Sequence, residues 1–270
     1  MIIVITAAFA ALLAFILGLA LGLFKEIFYV EEDPLTGRLR EALPGANCGG
    51  CGFPGCDGYA AAVAGGADIT RCAAGGKATA GALAAIMGVA AAEVTPMVSV
   101  RCCLGGKDVA LPKGIYTGIK TCHGAKLAGG VKLCTYGCIG FGDCVGVCKF
   151  GALSMGGDML PHVDRTKCTG CKICAAECPQ GILRVIPGGK KITLTLCSNR
   201  NPVRSAIRKT CRVGCIKCGI CVKNCPEQCI VLDNGIPVID YARCTNCGVC
   251  ESKCPTHVIR CLEAELTVGP

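Results

Sequence analysis

Two cysteine runs near the C-terminal end limit what this chain can become. Cys215, Cys218, Cys221 and Cys225 precede Pro226, and Cys244, Cys247, Cys250 and Cys254 precede Pro255, each run spaced Cys-x2-Cys-x2-Cys-x3-Cys-Pro. Such a run binds iron–sulfur clusters: three thiolates wrap one cubane and the fourth reaches across to a second. The proline that follows fixes φ and turns the chain away. Zinc sites more often use two spaced pairs. Crossed ligation assigns Cys215, Cys218, Cys221 and Cys254 to one [4Fe-4S] cluster, and Cys244, Cys247, Cys250 and Cys225 to another. Two clusters held this way are neighbours, which suits a wire better than a store. Between the runs, Ile230-Val231-Leu232 and Pro237-Val238-Ile239 flank Asp233-Asn234-Gly235. Asn-Gly between short apolar runs predicts a hairpin.

Cysteine makes up 27 of the 270 residues, while tryptophan is absent and aromatics are few. The odd count and the ligand spacings argue against a disulfide scaffold and for a reducing, cytosol-facing location. With so few large apolar side chains, metal must supply much of the folding free energy. The formal net charge of +9 counts every thiol as neutral. Each oxidised cubane with four thiolates carries about −2, so five would cancel roughly ten positive charges. The basic excess is therefore compensation, and no basic patch interleaved with aromatics points to nucleic acid.

Residues 2–24 contain no charged side chain. A helix of that length spans a bilayer core of roughly 30 Å. The stretch lacks the basic start and short apolar core of a secretory signal, so it reads as a retained transmembrane helix. Lys25, Arg38 and Arg40 lie downstream and no Lys or Arg lies upstream, which places the remainder in the cytoplasm. Thr6, Ala10, Ala14, Gly18 and Gly22 form a small-residue stripe able to pack on another membrane helix. Residues 25–47, with Glu31-Glu32-Asp33-Pro34, read as a solvated linker.

Cys48, Cys51, Cys56 and Cys72 follow, among Gly49, Gly50, Gly52 and Gly55. Glycines let the backbone curl around a bulky cluster. Asp57 is placed to cap a short helix over 58–64, and 78–87 reads as another. By spacing alone these four thiols suit zinc or a third iron–sulfur cluster. Leu43-Pro44, the Cys48–Cys56 segment, Tyr59-Ala60 and Arg71-Cys72-Ala73 with Gly75-Gly76, all behind an N-terminal membrane helix, resemble the B subunit of the Rnf complex, in a long form with extra ferredoxin modules. That complex is the ion-translocating ferredoxin:NAD+ oxidoreductase. The resemblance implies a [4Fe-4S] cluster on Cys48, Cys51, Cys56 and Cys72. It also implies reduced ferredoxin as donor and other membrane subunits as partners, bearing flavin, reducing NAD+ and moving Na+ or H+.

Between the four-cysteine unit and the C-terminal runs lies a related pair. Cys168, Cys171, Cys174 and Cys178 before Pro179 are regular; Cys134, Cys138, Cys144 and Cys148 are not. Aligning Gly137-Cys138-Ile139 on Gly214-Cys215-Ile216 matches Cys134 to Cys211, Cys144 to Cys221 and Cys148 to Cys225. Gly140-Phe141-Gly142 fills the place of Cys218. The chain thus carries a duplicated module, roughly 98–186 and 193–264. Cys134 is the nearest substitute for the missing ligand, giving Cys134, Cys138, Cys144 and Cys178 for one cluster and Cys168, Cys171, Cys174 and Cys148 for the other.

Five clusters leave Cys102, Cys103, Cys122, Cys197, Cys211, Cys229 and Cys261. Cys229 and Cys261 read as buried thiols that act as small hydrophobes. Cys102 and Cys197 stand at matching places after the β-like runs Val98-Ser99-Val100 and Ile192-Thr193-Leu194. Cys102 or Cys103, with Cys122, Cys197 and Cys211, form a sixth-cluster candidate; unligated thiols are the alternative.

The chain has no Gly-x-Gly-x-x-Gly behind a strand, and Gly75-Gly76-Lys77, Gly105-Gly106-Lys107 and Gly188-Gly189-Lys190 lack P-loop spacing, so no site for NAD+ is expected within it. His123, His162 and His257 show no ligand pairing. Lys149, Lys172, Lys217, Lys223 and Lys253 adjoin cluster cysteines and can balance charge or attract an acidic ferredoxin. The expectation is an α+β protein: a transmembrane anchor over 1–26, a mainly helical four-cysteine domain with linker over 27–96, and ferredoxin-like modules over 97–190 and 191–270. Its function would be electron relay through five [4Fe-4S] clusters, or six. The rival readings are an electron-input subunit of a hydrogenase or quinone-linked complex and a structural metal protein.

Overall fold

The computed structural model describes residues 2–28, 33–90, 93–189 and 191–263. Glu31, Glu32 and Lys190, named above, lie outside them. Helix α1 runs Ile2–Ile27, longer than the charge-free segment by one turn that includes Lys25. Its side chains are exposed along its length, with Ile3 82% and Leu21 70% open. A helix this apolar is stable with that surface only against lipid or another apolar partner.

Three helices follow: α2 (Pro34–Glu41), α3 (Gly55–Ala64) and α4 (Gly76–Met87). Asp33 caps α2 by accepting from Leu35 N at 3.0 Å, with Pro34 at the first helical position. Leu39, Tyr59, Val63 and Leu83 meet in a core that also takes in Cys56 and Cys72. Asp57 does not cap α3; Pro54 holds that position, and Asp57 pairs with Arg40 of α2 from the first turn.

The rest is two copies of one plan. In the first, β1 (Met97–Arg101) is followed by α5 (Cys122–Leu127), α6 (Asp143–Gly146), β2 (Leu153–Met155), β3 (Pro161–Val163), α7 (Ile173–Glu177) and β4 (Leu183–Pro187). In the second, β5 (Lys191–Thr195) leads to α8 (Arg204–Thr210), α9 (Ile220–Lys223), β6 (Ile230–Asp233), β7 (Ile236–Ile239), α10 (Val249–Ser252) and β8 (Ile259–Glu263). In each copy the first and last strands pair antiparallel, and the middle two form a hairpin. The hairpin expected at Asn234-Gly235 is present, with both residues at positive φ (49° and 79°), the twist that a two-residue turn requires.

The outer strands explain how the copies join. Val98, Val100 and Cys102 continue one face of β1, and Ile192, Leu194 and Leu196 continue one face of β5; these six meet Ile186 in a single apolar cluster. Backbone bonds cross the same seam: Leu104 N donates to Leu196 O at 3.2 Å, Leu111 N to Thr210 O at 3.0 Å and Arg212 N to Val109 O at 3.2 Å. The duplicated modules are thereby one body.

Candidate metal centres

The four-cysteine unit places Cys48, Cys51, Cys56 and Cys72 around one small cavity of about 10 Å3, which Pro44 and Tyr59 also line. Gly49 and Gly52 sit at φ +72° and +90°, a curl that residues with a Cβ rarely adopt. Cys56 N donates to Asn47 Oδ1 at 2.7 Å, and burial pushes the Tyr59 hydroxyl up to about 12 while it donates to Asp68 O at 2.9 Å. Cys171, from the next module, lines the same cavity. The Gly50 backbone lies so close to Cys171 that a Cβ there would stand 2.5 Å from its carbonyl oxygen. Lys149 Nζ donates to Asn47 O at 2.9 Å across the same contact.

In the second ferredoxin-like copy, Cys215, Cys218, Cys221 and Cys254 line a small cavity of about 20 Å3. The crossed partnership therefore exists in space: three thiols come from the α9 turn and the fourth from the loop after α10. Burial pushes the Cys221 and Cys250 thiols up to about 11. Cys254 differs. Burial raises it, but N–H groups of Ile259, Thr256 and Val258 aim at its sulfur and bring it below the ordinary thiol value. Cys225, also before a proline, is likewise lowered against its burial, by donors that include the Cys229, Glu227 and Gln228 amides. Cys244 and Cys247 lie in electrostatic range of Cys250, and Cys244 and Cys225 both lie beside Cys229.

In the first copy, Cys168, Cys171 and Cys148 surround Cys174, as the regular spacing implies. Ser99 N donates to Cys168 Sγ at 3.3 Å, and Ser99 Oγ lies 3.4 Å from Cys174 Sγ. The irregular run departs from expectation. Cys138 and Cys144 face Cys178 as foreseen, but the further thiol beside them is Cys122, not Cys134. Cys122 reaches the site from the insertion before the run, at the start of α5. Thr121 caps that helix through Gly124 N, and the Asp143 carboxylate accepts from Cys122 N at 2.8 and 2.9 Å and from His123 N at 3.2 Å. Cys134 faces a different cavity, with Cys103, Cys197 and Cys211.

The sixth-site grouping drawn from sequence is corrected at one position and narrowed at another. Cys122 belongs beside Cys138 and Cys144, and Cys102 points into the apolar seam, where burial pushes its thiol up to about 11. Strand alternation carried this signal: Val98, Val100 and Cys102 share parity, and so do Ser99, Arg101 and Cys103. Aligning the β1–β4 pair of the first copy on the β5–β8 pair of the second makes Cys103 the counterpart of Cys197, and Cys102 of Leu196. His123 also has more partners than its sequence context suggested. Its Nδ1 lies 3.2 Å from Asp143 Oδ2 and 3.6 Å from Glu177 Oε1 on the surface beside Cys122. His162 Nε2 lies 3.2 Å from Asp158 Oδ1.

Of the five lysines beside cluster cysteines, Lys149, Lys172, Lys223 and Lys253 are exposed. Lys217 is buried and donates to Asn234 O at 2.9 Å, tying its run to the hairpin turn.

These residues suit [4Fe-4S] clusters. At three places four thiols line one cavity, and backbone N–H groups point at several of the sulfurs, as suits cluster ligands whose potential such bonds tune. Fold and sites together define an iron–sulfur protein with several centres and an apolar N-terminal helix long enough to span a membrane. Family models agree: an Fe-S cluster model matches residues 43–74, a 4Fe-4S binding domain 161–184 and a 4Fe-4S dicluster domain 214–258. The chain is 39% identical over 228 residues to the B subunit of the Na+-translocating ferredoxin:NAD+ oxidoreductase complex of Acetobacterium woodii, covering 84% of this chain and 68% of the relative. It is 36% identical to the B subunit of an ion-translocating oxidoreductase complex of Methanosarcina acetivorans, covering 84% and 86%. It is 38% identical to the B subunit of the proton-translocating ferredoxin:NAD+ oxidoreductase complex of Clostridium ljungdahlii, covering 85% and 81%. The chain belongs to this family, the B subunits of ion-translocating oxidoreductase complexes.

Proposed function

We propose that this chain is the electron-relay subunit of a membrane-bound, ion-translocating ferredoxin:NAD+ oxidoreductase. It accepts electrons from reduced ferredoxin on the cytoplasmic side and delivers them to flavin- and NAD-handling membrane subunits. The observation that carries this reading is the series of adjoining thiol groups, without a flavin or nucleotide fold in the sequence. Five ligand sets account for it: Cys48, Cys51, Cys56 and Cys72; Cys168, Cys171, Cys174 and Cys148; Cys122, Cys138, Cys144 and Cys178; Cys215, Cys218, Cys221 and Cys254; and Cys244, Cys247, Cys250 and Cys225. Bound [4Fe-4S] clusters supply one-electron carriers at these places.

The chain's own residues hold, shield and tune them. Burial of Cys144, pushed up to about 12, keeps water from the sulfur and means that metal loading displaces protons. The N–H groups around Cys254 and Cys225 stabilise negative charge on sulfur, which favours the reduced state. The domain limits 27–96, 97–190 and 191–270 fit the positions of β1 and β5, which open the two copies. Lys25, Arg38 and Arg40 support a cytoplasmic location for the cysteine domains. Exposed Lys149, Lys172, Lys223 and Lys253 suit docking of an acidic donor.

Stopped-flow mixing of the anaerobically purified chain with reduced ferredoxin tests the reading. Bleaching of iron–sulfur absorption, slowed by salt, is the expected result. A chain that strong reductant bleaches but ferredoxin does not would sink the proposed donor.

A further inference from the structure

The seam between the two ferredoxin-like copies contains a thiol site outside every segment matched by a family model. Cys103 follows β1 and Cys197 follows β5 at the same register, and Cys134 and Cys211 are likewise counterparts. All four line one small cavity of about 20 Å3, which Tyr136, Leu196 and Val213 also line. The space they enclose is similar to that within the Cys48 and Cys215 sets, about 10 and 20 Å3. Each copy contributes two thiols, so the site is complete only when the copies are joined.

Donors converge on these sulfurs. Gly105 N reaches Cys103 Sγ at 3.3 Å, Cys138 N reaches Cys103 Sγ at 3.4 Å and Cys215 N reaches Cys197 Sγ at 3.3 Å. The buried Asn199 points Nδ2 at Cys134 Sγ, 3.5 Å away. Two of these donors, Cys138 and Cys215, are themselves ligands of the flanking sets. The equivalence is two-fold: a cysteine of each neighbouring group donates its N–H to this one.

Lys132 gives a second, independent sign. It is 8% exposed, its Nζ donates to Gly105 O at 2.8 Å, and its charge acts on Cys211 and Cys138. A buried ammonium is costly without an anionic counterpart. Four thiolates around an iron–sulfur core carry a net charge of about −2 and supply one.

We propose that Cys103, Cys134, Cys197 and Cys211 bind a sixth [4Fe-4S] cluster, which links the two duplicated modules. The ligand sets then form one unbroken series. It runs from the Cys48 set through the Cys171, Cys138, Cys103 and Cys215 sets to the Cys244 set. Without the middle member, the series is interrupted between the Cys138 and Cys215 sets. Cys134 replaces Cys122 of the sequence grouping because Cys122 completes its neighbour, and of the alternatives Cys102 and Cys103 it is Cys102 that turns into the apolar seam.

The proposal rests on the iron–sulfur reading but not on any particular donor or acceptor, since its readout is composition. Iron, zinc and acid-labile sulfide are counted in the full chain purified without oxygen. About 24 irons and no zinc are expected, against about 20 if only the other five sites are filled. Cys134→Ser and Cys211→Ser should each lose about four irons and one component of the spin-resonance spectrum, whereas Cys102→Ser should lose none. About 20 irons in the wild type, or about 20 with one zinc, overturns the proposal. Should the variants fold poorly, native mass measurement of the wild type decides the same question.

Discussion

Replacing Gly50 by alanine tests the contact that joins the four-cysteine domain to the duplicated body. The added Cβ would meet Cys171 O at 2.5 Å, Cys171 Cβ at 3.0 Å and Cys171 C at 3.3 Å. Ordinary contact needs roughly 3.5–4.0 Å between carbons, so one backbone must retreat by about 1 Å. Both partners are constrained: Cys171 lies between cluster cysteines, and Gly50 between Cys48 and Cys51. Overpacking of this kind costs about 1–3 kcal/mol. Every 1.4 kcal/mol is tenfold, so the docked arrangement should weaken by roughly 5- to 140-fold. Hydrogen exchange reads this directly, with faster exchange expected at residues 47–52 and 168–172 and unchanged exchange in the β5–β8 pair. Spin coupling between the two adjacent clusters should fall in parallel. Gly52→Ala is the control, because a Cβ there meets nothing within 4 Å although φ is +90°. It should strain the loop without loosening the contact. If Gly50→Ala leaves both exchange and coupling as in the wild type, the reasoning from close approach is wrong.

Three more outcomes are expected. Asp143→Ala removes the carboxylate that accepts from Cys122 N and His123 N, and the loss of a charged partner costs about 1.5–3 kcal/mol. The site on Cys122 and Cys138 should release iron first under chelator, seen as a faster initial phase of bleaching. Lys132→Met removes a buried positive charge. At an effective dielectric near 20 that is roughly 2 kcal/mol, so the nearest centre should fall in potential by on the order of 80 mV in a redox titration. Cys102 is pushed up to about 11 by burial, from an ordinary thiol value of 9.0. Its contribution to stability is full below about pH 9 and lost as pH rises through 11, up to roughly 3 kcal/mol. Cys102→Ala should therefore show a shallower alkaline decline in denaturant midpoint than the wild type.

Much of this protein was legible without coordinates. The regular runs at Cys215–Cys225, Cys244–Cys254 and Cys168–Cys178 pointed to iron–sulfur ligation with a fourth thiol from the neighbouring run, and Cys215, Cys218, Cys221 and Cys254 do share one cavity. The apolar N-terminal stretch and the Asn234-Gly235 turn could be read equally well, since each depends on residues adjacent in the chain, and the duplication could be read from the repeated spacing of its local motifs. The irregular run could not. Choosing Cys122 over Cys134 depends on an insertion folding back so that Asp143 can accept from Cys122 N, a long-range closure that spacing does not encode.

The seam marks the same boundary. Sequence alone determined that seven cysteines remained after the evident motifs, and strand parity could have set Cys102 apart from Cys103. That two residues from one copy and two from the other face a shared cavity was decided only by packing β1 against β5. Ligands within a motif are brought together by local turns, whereas ligands from separate modules meet only after apolar surfaces have fixed how those modules lie against each other.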